Sequence, residues 1–191
     1  FVGKLKRFRL NEVIGDDLLV YSNVINKLKN KKDGFILSGL NLAFIGFISK
    51  IEPDRSFRLW PDGLFSKVFT KKINKFAGRE ILNNLEKWCK KEIVLVGNLN
   101  EKSKKFFNRK KIKILKYLEL PVGSPEVIIK KLRKSSFKNF KKNTAVIITL
   151  PTPKQEIIAK EIYYQNSKLQ ILCLGGALNI ASGYESPVPK L

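Results

Sequence analysis

A chain of 191 residues with 43% hydrophobic and 10% aromatic side chains can hide roughly two thirds of its unfolded surface as one domain, which excludes the disordered class. The 38 Lys and Arg stand against 16 Asp and Glu, a formal charge of +22, so the expected partners are anionic: nucleic-acid phosphate, acidic membrane headgroups or a diphosphate-bearing substrate, with part of the excess expected as solvated surface. Histidine is absent, which excludes Ser-His and Cys-His nucleophile systems and nearly all mixed His/Cys zinc sites, and leaves carboxylates or Lys to act as a base.

Apolar periodicity predicts helix over 17–28, strand over 35–38, helix over 42–50 and strand over 55–59. A basic, aromatic stretch follows, in which Lys67, Lys71, Lys72 and Lys75 alternate with Phe65, Phe69 and Phe76. It reads either as a loop over a ligand or as an amphipathic connector with solvated lysines. Then come helix over 78–90, strand over 93–96, helix over 101–109, strand over 112–117, helix over 125–135, strand over 145–150, helix over 153–166 and strand over 169–174. This alternation predicts an α/β fold with crossovers: a Rossmann-like parallel-sheet lobe, 78–191, and a smaller N-terminal α/β lobe, 1–77, within a single domain over 1–191. The longest apolar runs, 42–48 and 169–181, fall short of the ~20 residues that span a bilayer. Two cysteines, Cys89 and Cys173, lie far apart without a CxxC partner, so neither a metal site nor a disulfide is expected and a reducing cytoplasm fits.

Four turns between these elements can carry chemistry. Trp60-Pro61-Asp62-Gly63 follows a strand, where Pro and Gly would hold the Asp62 carboxylate at the carboxyl edge of the sheet, a sensible place for a base. Pro-Asp-Gly is also an ordinary turn with Asp as backbone acceptor, and spacing alone favours that plainer role. Thr152-Pro153-Lys154-Gln155-Glu156 has the T-x-x-Q spacing of a capping box with Pro at the first helical position. Its helix N-terminus could hold a phosphate or a uracil carbonyl, although capping alone would explain it. Gly97-Asn98 and Gly175-Gly176-Ala177 each follow an apolar strand with small residues that admit close approach of a ligand. No GxxxxGK[ST], GxGxxG or D-x-D run occurs, so any group transfer is expected to need no metal and no cofactor, its leaving diphosphate stabilised by N–H groups and basic side chains.

In this order and spacing, over nearly the whole chain, these segments resemble the WecG/TagA/CpsF family, glycosyltransferase family 26. The resemblance rests on the 8–28 opening unit, Asn41, Pro61-Asp62-Gly63, Gly78-Arg79-Glu80-Ile81-Leu82, Val96-Gly97-Asn98, Gly123, Pro153-Lys154-Gln155-Glu156 and the run from Gly175-Gly176 through Gly183 to Pro189. It implies a transferase that moves an N-acetylmannosamine-type sugar from a UDP-sugar, with inversion, to a GlcNAc-diphospho-polyprenol acceptor in the assembly of teichoic acid, capsule or a related surface polysaccharide. It implies Asp62 as the base, with Asn41, Gly63, Lys75 and Gly78 on the substrate side. Gly97, Lys154, Gln155, Glu156, Gly175 and Gly176 fall on the nucleotide side, and no metal is implied.

Departures from the family pattern are Gly39 where Thr is frequent, Lys75 for Arg, Glu80 for Asp, Pro151 for Gly, Asn179 for the Asp after the paired glycines, and Pro187 for Arg. The family commonly continues past its closing motif into a basic, aromatic tail, and this sequence ends at Leu191. The expected setting is cytoplasmic and peripheral at the inner face of the membrane, with an anionic membrane surface as partner and homo-oligomerisation left open. Nucleic acid is not the expected partner, because no recognition signature appears, although lysines interleaved with Phe137 and Phe140 over 134–142 would suit a module that stacks bases. A non-catalytic subunit of a polysaccharide synthase is the other alternative.

Overall fold

The computed structural model of the chain describes residues 19–20, 23–29, 33–62, 76–89, 92–121 and 123–187. Seven strands occur among them: β1 (Leu19–Val20), β2 (Phe35–Leu40), β3 (Phe57–Pro61), β4 (Glu92–Val96), β5 (Lys113–Leu118), β6 (Ala145–Ile148) and β7 (Gln170–Cys173). They form one sheet in the order β1-β3-β2-β7-β6-β4-β5, with every pairing parallel. The two expected lobes are therefore flanks of one sheet, joined where β2 runs beside β7 with Ile36 opposite Ile171.

The central strands are buried on both faces, as the continuous apolar runs of covered parallel strands require. Ile36, Val94, Val146 and Ile171 pack into one core layer, while Leu37, Leu95, Ile147 and Leu172 pack into the other. Helices α2 (Leu42–Gly46), α3 (Ile48–Ile51), α7 (Pro125–Arg133) and α8 (Lys154–Gln165) cover the first layer through Phe44, Ile51, Ile128, Leu132, Ile158 and Ile162. Helices α1 (Val24–Lys29), α4 (Gly78–Asn83), α5 (Leu85–Trp88), α6 (Glu101–Arg109) and α9 (Ala177–Ala181) cover the second through Leu28, Ile81, Leu85, Phe107 and Leu178. Connections that step one way across the sheet, such as β2 to β3 and β6 to β7, use the first layer, and those that step the other way, such as β4 to β5, use the second. One crossover hand throughout gives this division.

Three expectations about elements need correction. The 17–28 segment is not one helix: Leu19–Val20 is an edge strand beside β3, and the helix covers only Val24–Lys29. The helices expected over 42–50 and 78–90 are each two short helices, hinged at Phe47 and Asn84. Thr152 is not a helix cap. Pro153 occupies the N-cap position of α8 without a side-chain capping bond, because the Thr152 hydroxyl is used by Gln155 and Glu156.

Candidate functional site

In an open parallel sheet the side chains free to meet a ligand gather beyond the carboxyl ends of the strands, where neighbouring connections leave on opposite faces. Here α6 leaves β4 into the second layer while α8 leaves the adjacent β6 into the first. At that junction Gly97 lies against Thr149, whose Oγ1 accepts from the Asn98 N–H at 2.9 Å. Gly97 adopts φ +119, and a Cβ there would stand 2.5 Å from Thr149 Oγ1. Its lack of a side chain is thus required by packing as well as by backbone conformation.

Asp62 follows β3 at the same edge, half-buried. The Asn41 Nδ2 donates to Asp62 Oδ2 at 3.3 Å, while Asn41 Oδ1 accepts from the Phe44 N–H at 3.0 Å and caps α2. One amide thus anchors a helix and orients a carboxylate. Gly39 makes room for it: a Cβ at 39 would lie 3.0 Å from Asp62 Oδ2 and 3.2 Å from the Trp60 ring. Trp60 is buried, and its Nε1 donates to the Phe76 carbonyl at 3.1 Å. Gly78 opens α4 close to the start of α9, where its Cβ would meet that of Ala177 at 3.2 Å.

The second group of expected residues forms a buried polar knot. Glu156 is fully buried, and its Oε1 accepts from Ser38 Oγ at 2.8 Å, Gln155 Nε2 at 2.9 Å and Thr152 Oγ1 at 3.1 Å. The Glu156 Oε2 has no partner. Burial pushes the carboxyl above the usual glutamate range, against the lowering effect of the Ser38 hydroxyl and the other donors. Gln155 donates from Nε2 to Thr152 as well, and its Oε1 accepts from the Gly175 N–H at 2.9 Å, which holds Gly175 in a left-handed turn at φ +52. The knot therefore couples β2, the first turn of α8 and the turn after β7. Cys173 sits against it, donating from Sγ to the Gln155 carbonyl at 3.7 Å; burial, then the charge of Glu156, pushes its thiol well above the ordinary range, so it stays an unreactive thiol.

Lys154 donates to the Gly123 carbonyl at 2.7 Å and ties the entry of α7 to the head of α8. Gly176 is exposed, and a Cβ there would meet nothing within 4 Å. Asn179 links the closing segment to α6, because its Oδ1 accepts from Asn100 at 3.2 Å and its Nδ2 donates to Glu185 at 2.7 Å. An aspartate at this position could not make that donation.

Asp62, Asn41, Gly78, Gly97, Lys154, Gln155, Glu156, Gly175 and Gly176 all lie at the carboxyl edge, while Gly63 and Lys75 fall outside the described residues, as does most of the basic stretch before Phe76. Sequence reasoning did not single out Ser38, Thr149 or the crowding at Gly39. A lone hydroxyl in the apolar run Phe-Ile-Leu-Ser-Gly-Leu was the available signal, since a buried polar group needs a partner. Phe137 is fully buried and Phe140 is partly buried against the same core, so neither ring of the 134–142 segment stands exposed for stacking. Among the described residues no group of three or more acidic or cysteine side chains is placed to hold a metal ion, and no helix is long and apolar enough to cross a membrane. No protein-family model matches the chain, and no curated protein matches it.

Proposed function

We propose that the chain is an inverting, metal-independent glycosyltransferase that moves an N-acetylmannosamine-type sugar from a UDP-sugar to a lipid-linked GlcNAc-diphospho-polyprenol acceptor in cell-surface polysaccharide assembly. The observation that carries the reading is the Asp62 carboxylate, oriented by the Asn41 amide over Gly39 at the carboxyl edge of a parallel sheet, in a chain without histidine. In this reading Asp62 takes the proton of the acceptor hydroxyl as its oxygen bonds to the anomeric carbon. The bond from that carbon to UDP breaks on the opposite face, which inverts the configuration. The developing diphosphate charge is met by backbone N–H groups and basic side chains at the same edge, Lys154 being the cation of the expected set among the described residues. The buried Ser38–Gln155–Glu156 knot ties the α8 and β7 turns to β2, the strand that Asn41 follows.

The reading predicts that UDP binds without a divalent ion. Titration calorimetry in EDTA should give the same affinity as in Mg²⁺ or Mn²⁺. Binding abolished by EDTA and restored by Mn²⁺ would remove the metal-independent site.

A further inference from the structure

Part of the positive charge of this chain lies on a built platform. Helix α7 points Val127, Lys130, Lys131 and Lys134 away from the core at the i, i+3, i+4, i+7 spacing of one helical face, and all four are exposed. Its opposite face is sealed by the buried Ile128 and Leu132. The 134–142 loop continues this surface with exposed Lys138, Lys141 and Lys142, and no Asp or Glu occurs between Val127 and Thr144.

The loop is held in place. Asn166, the residue that ends α8, donates from Nδ2 to the carbonyls of Phe137 at 3.1 Å, Lys138 at 3.4 Å and Phe140 at 3.1 Å. The Gln165 Oε1 accepts from the Phe137 N–H at 3.3 Å, and the buried Phe137 ring plugs the loop into the core beneath Lys116, whose Nζ lies 5.2 Å from its centroid. With Phe137 inside, Phe140 packed against the core and the backbone clasped, the lysines are left exposed. Arg133, the one arginine of this stretch, is occupied by Glu161 at 3.0 Å. Tyr164, in the last turn of α8, is 70% exposed beside the clasped loop.

We infer that this face docks on an anionic phospholipid bilayer. Lysines act as point charges suited to a diffuse layer of headgroup phosphate, whereas oriented recognition of nucleic acid calls on free Arg forks and several stacking rings; here Arg133 is paired, and of Phe137, Phe140 and Tyr164 only the last is exposed. Tyr164 is amphipathic and suits the depth of the headgroups. The docking plane runs along α7 toward the candidate site, because Gly123 at the entry of that helix is bonded to Lys154 at the head of α8. A lipid-linked acceptor at the bilayer surface would meet the carboxyl edge at the rim of this plane. That meaning rests on the proposed transferase reading, whereas the docking itself is read without turnover.

The experiment is vesicle sedimentation of the full chain with phosphatidylglycerol/phosphatidylcholine and with pure phosphatidylcholine vesicles. It compares wild type, a Lys138→Gln/Lys141→Gln/Lys142→Gln variant and a control with the same charge change, Lys87→Gln/Lys105→Gln/Lys113→Gln. Melting temperatures establish that all three fold. Binding should need the anionic lipid and weaken with salt, and the loop variant should bind at least about tenfold more weakly while the control stays within about threefold. Equal losses in both variants would overturn the docking face in favour of diffuse charge. A loop variant that loses an oligonucleotide but keeps the vesicles would overturn it in favour of nucleic acid, and unchanged vesicle binding with a lowered solution mass would indicate a second copy on this face. Patch-dependent binding without transfer would sink the transferase reading alone, while transfer without patch-dependent binding would sink the docking face alone.

Discussion

Asp62 and Glu156 sit at one sheet edge with opposite surroundings. Asp62 is half-buried and accepts from the Asn41 amide, while Glu156 is sealed under three donors on one oxygen. The space for Asp62 depends on Gly39, so Gly39→Ala should leave the fold intact and push the carboxylate aside by a few tenths of an ångström. Because small misplacement of a reacting group is costly, turnover should fall about tenfold or more with UDP affinity retained, which steady-state rates and calorimetry on one preparation would check. For Glu156 the sign follows from its raised folded pKa. The folded state holds the proton more tightly than the unfolded chain, so this group's contribution to stability is full below the unfolded value of about 4.3 and is lost as pH rises toward the folded one. Glu156→Gln cannot titrate, and denaturation measured from acidic to neutral pH should show a flatter dependence than wild type. An unchanged slope would mean that Glu156 does not carry it.

At the level of elements, the Asn166 clasp makes the simplest prediction. Asn166→Ala removes three donations to the 137–140 backbone and should cost about 1–3 kcal/mol in chemical denaturation, with faster amide exchange confined to that loop. Elements were legible in the sequence where local and tertiary signals agreed. Helix α6 has the expected bounds, because Asn100 caps it by accepting from the Ser103 N–H and its Phe106 and Phe107 share one buried side. The central strands β2, β4, β6 and β7 were found because their cores are apolar runs, and β3 and β5 because apolar residues recur among their basic ones. The 17–28 segment was misread because a two-residue edge strand is too short to leave a periodicity, and its partner β3 lies far along the chain. Thr152 was misread for a related reason. Its spacing matches a cap, but the buried Glu156 beside it competes for the hydroxyl, and burial is not visible in spacing. The edge position of Asp62 was legible from its turn. Its contact with Asn41 was not, because it depends on β2 and β3 pairing with Leu40 opposite Pro61.

Over the whole molecule, the sheet order brings turns from five strands, β2, β3, β4, β6 and β7, to one rim, while the lysines of α7 and of the clasped loop that follows it are exposed. In the proposed reading the rim would carry the chemistry and the lysines would meet the membrane. The central claim is that Asp62 is the base. It is tested most directly by measuring melting temperature, UDP affinity and sugar-transfer rate for wild type and Asp62→Asn from one preparation. Asparagine keeps an acceptor oxygen for Asn41 but cannot take a proton, so the account predicts an unchanged melting temperature, unchanged UDP affinity and a transfer rate lower by about 10²–10⁴. A folded Asp62→Asn protein that transfers sugar at close to the wild-type rate would contradict it.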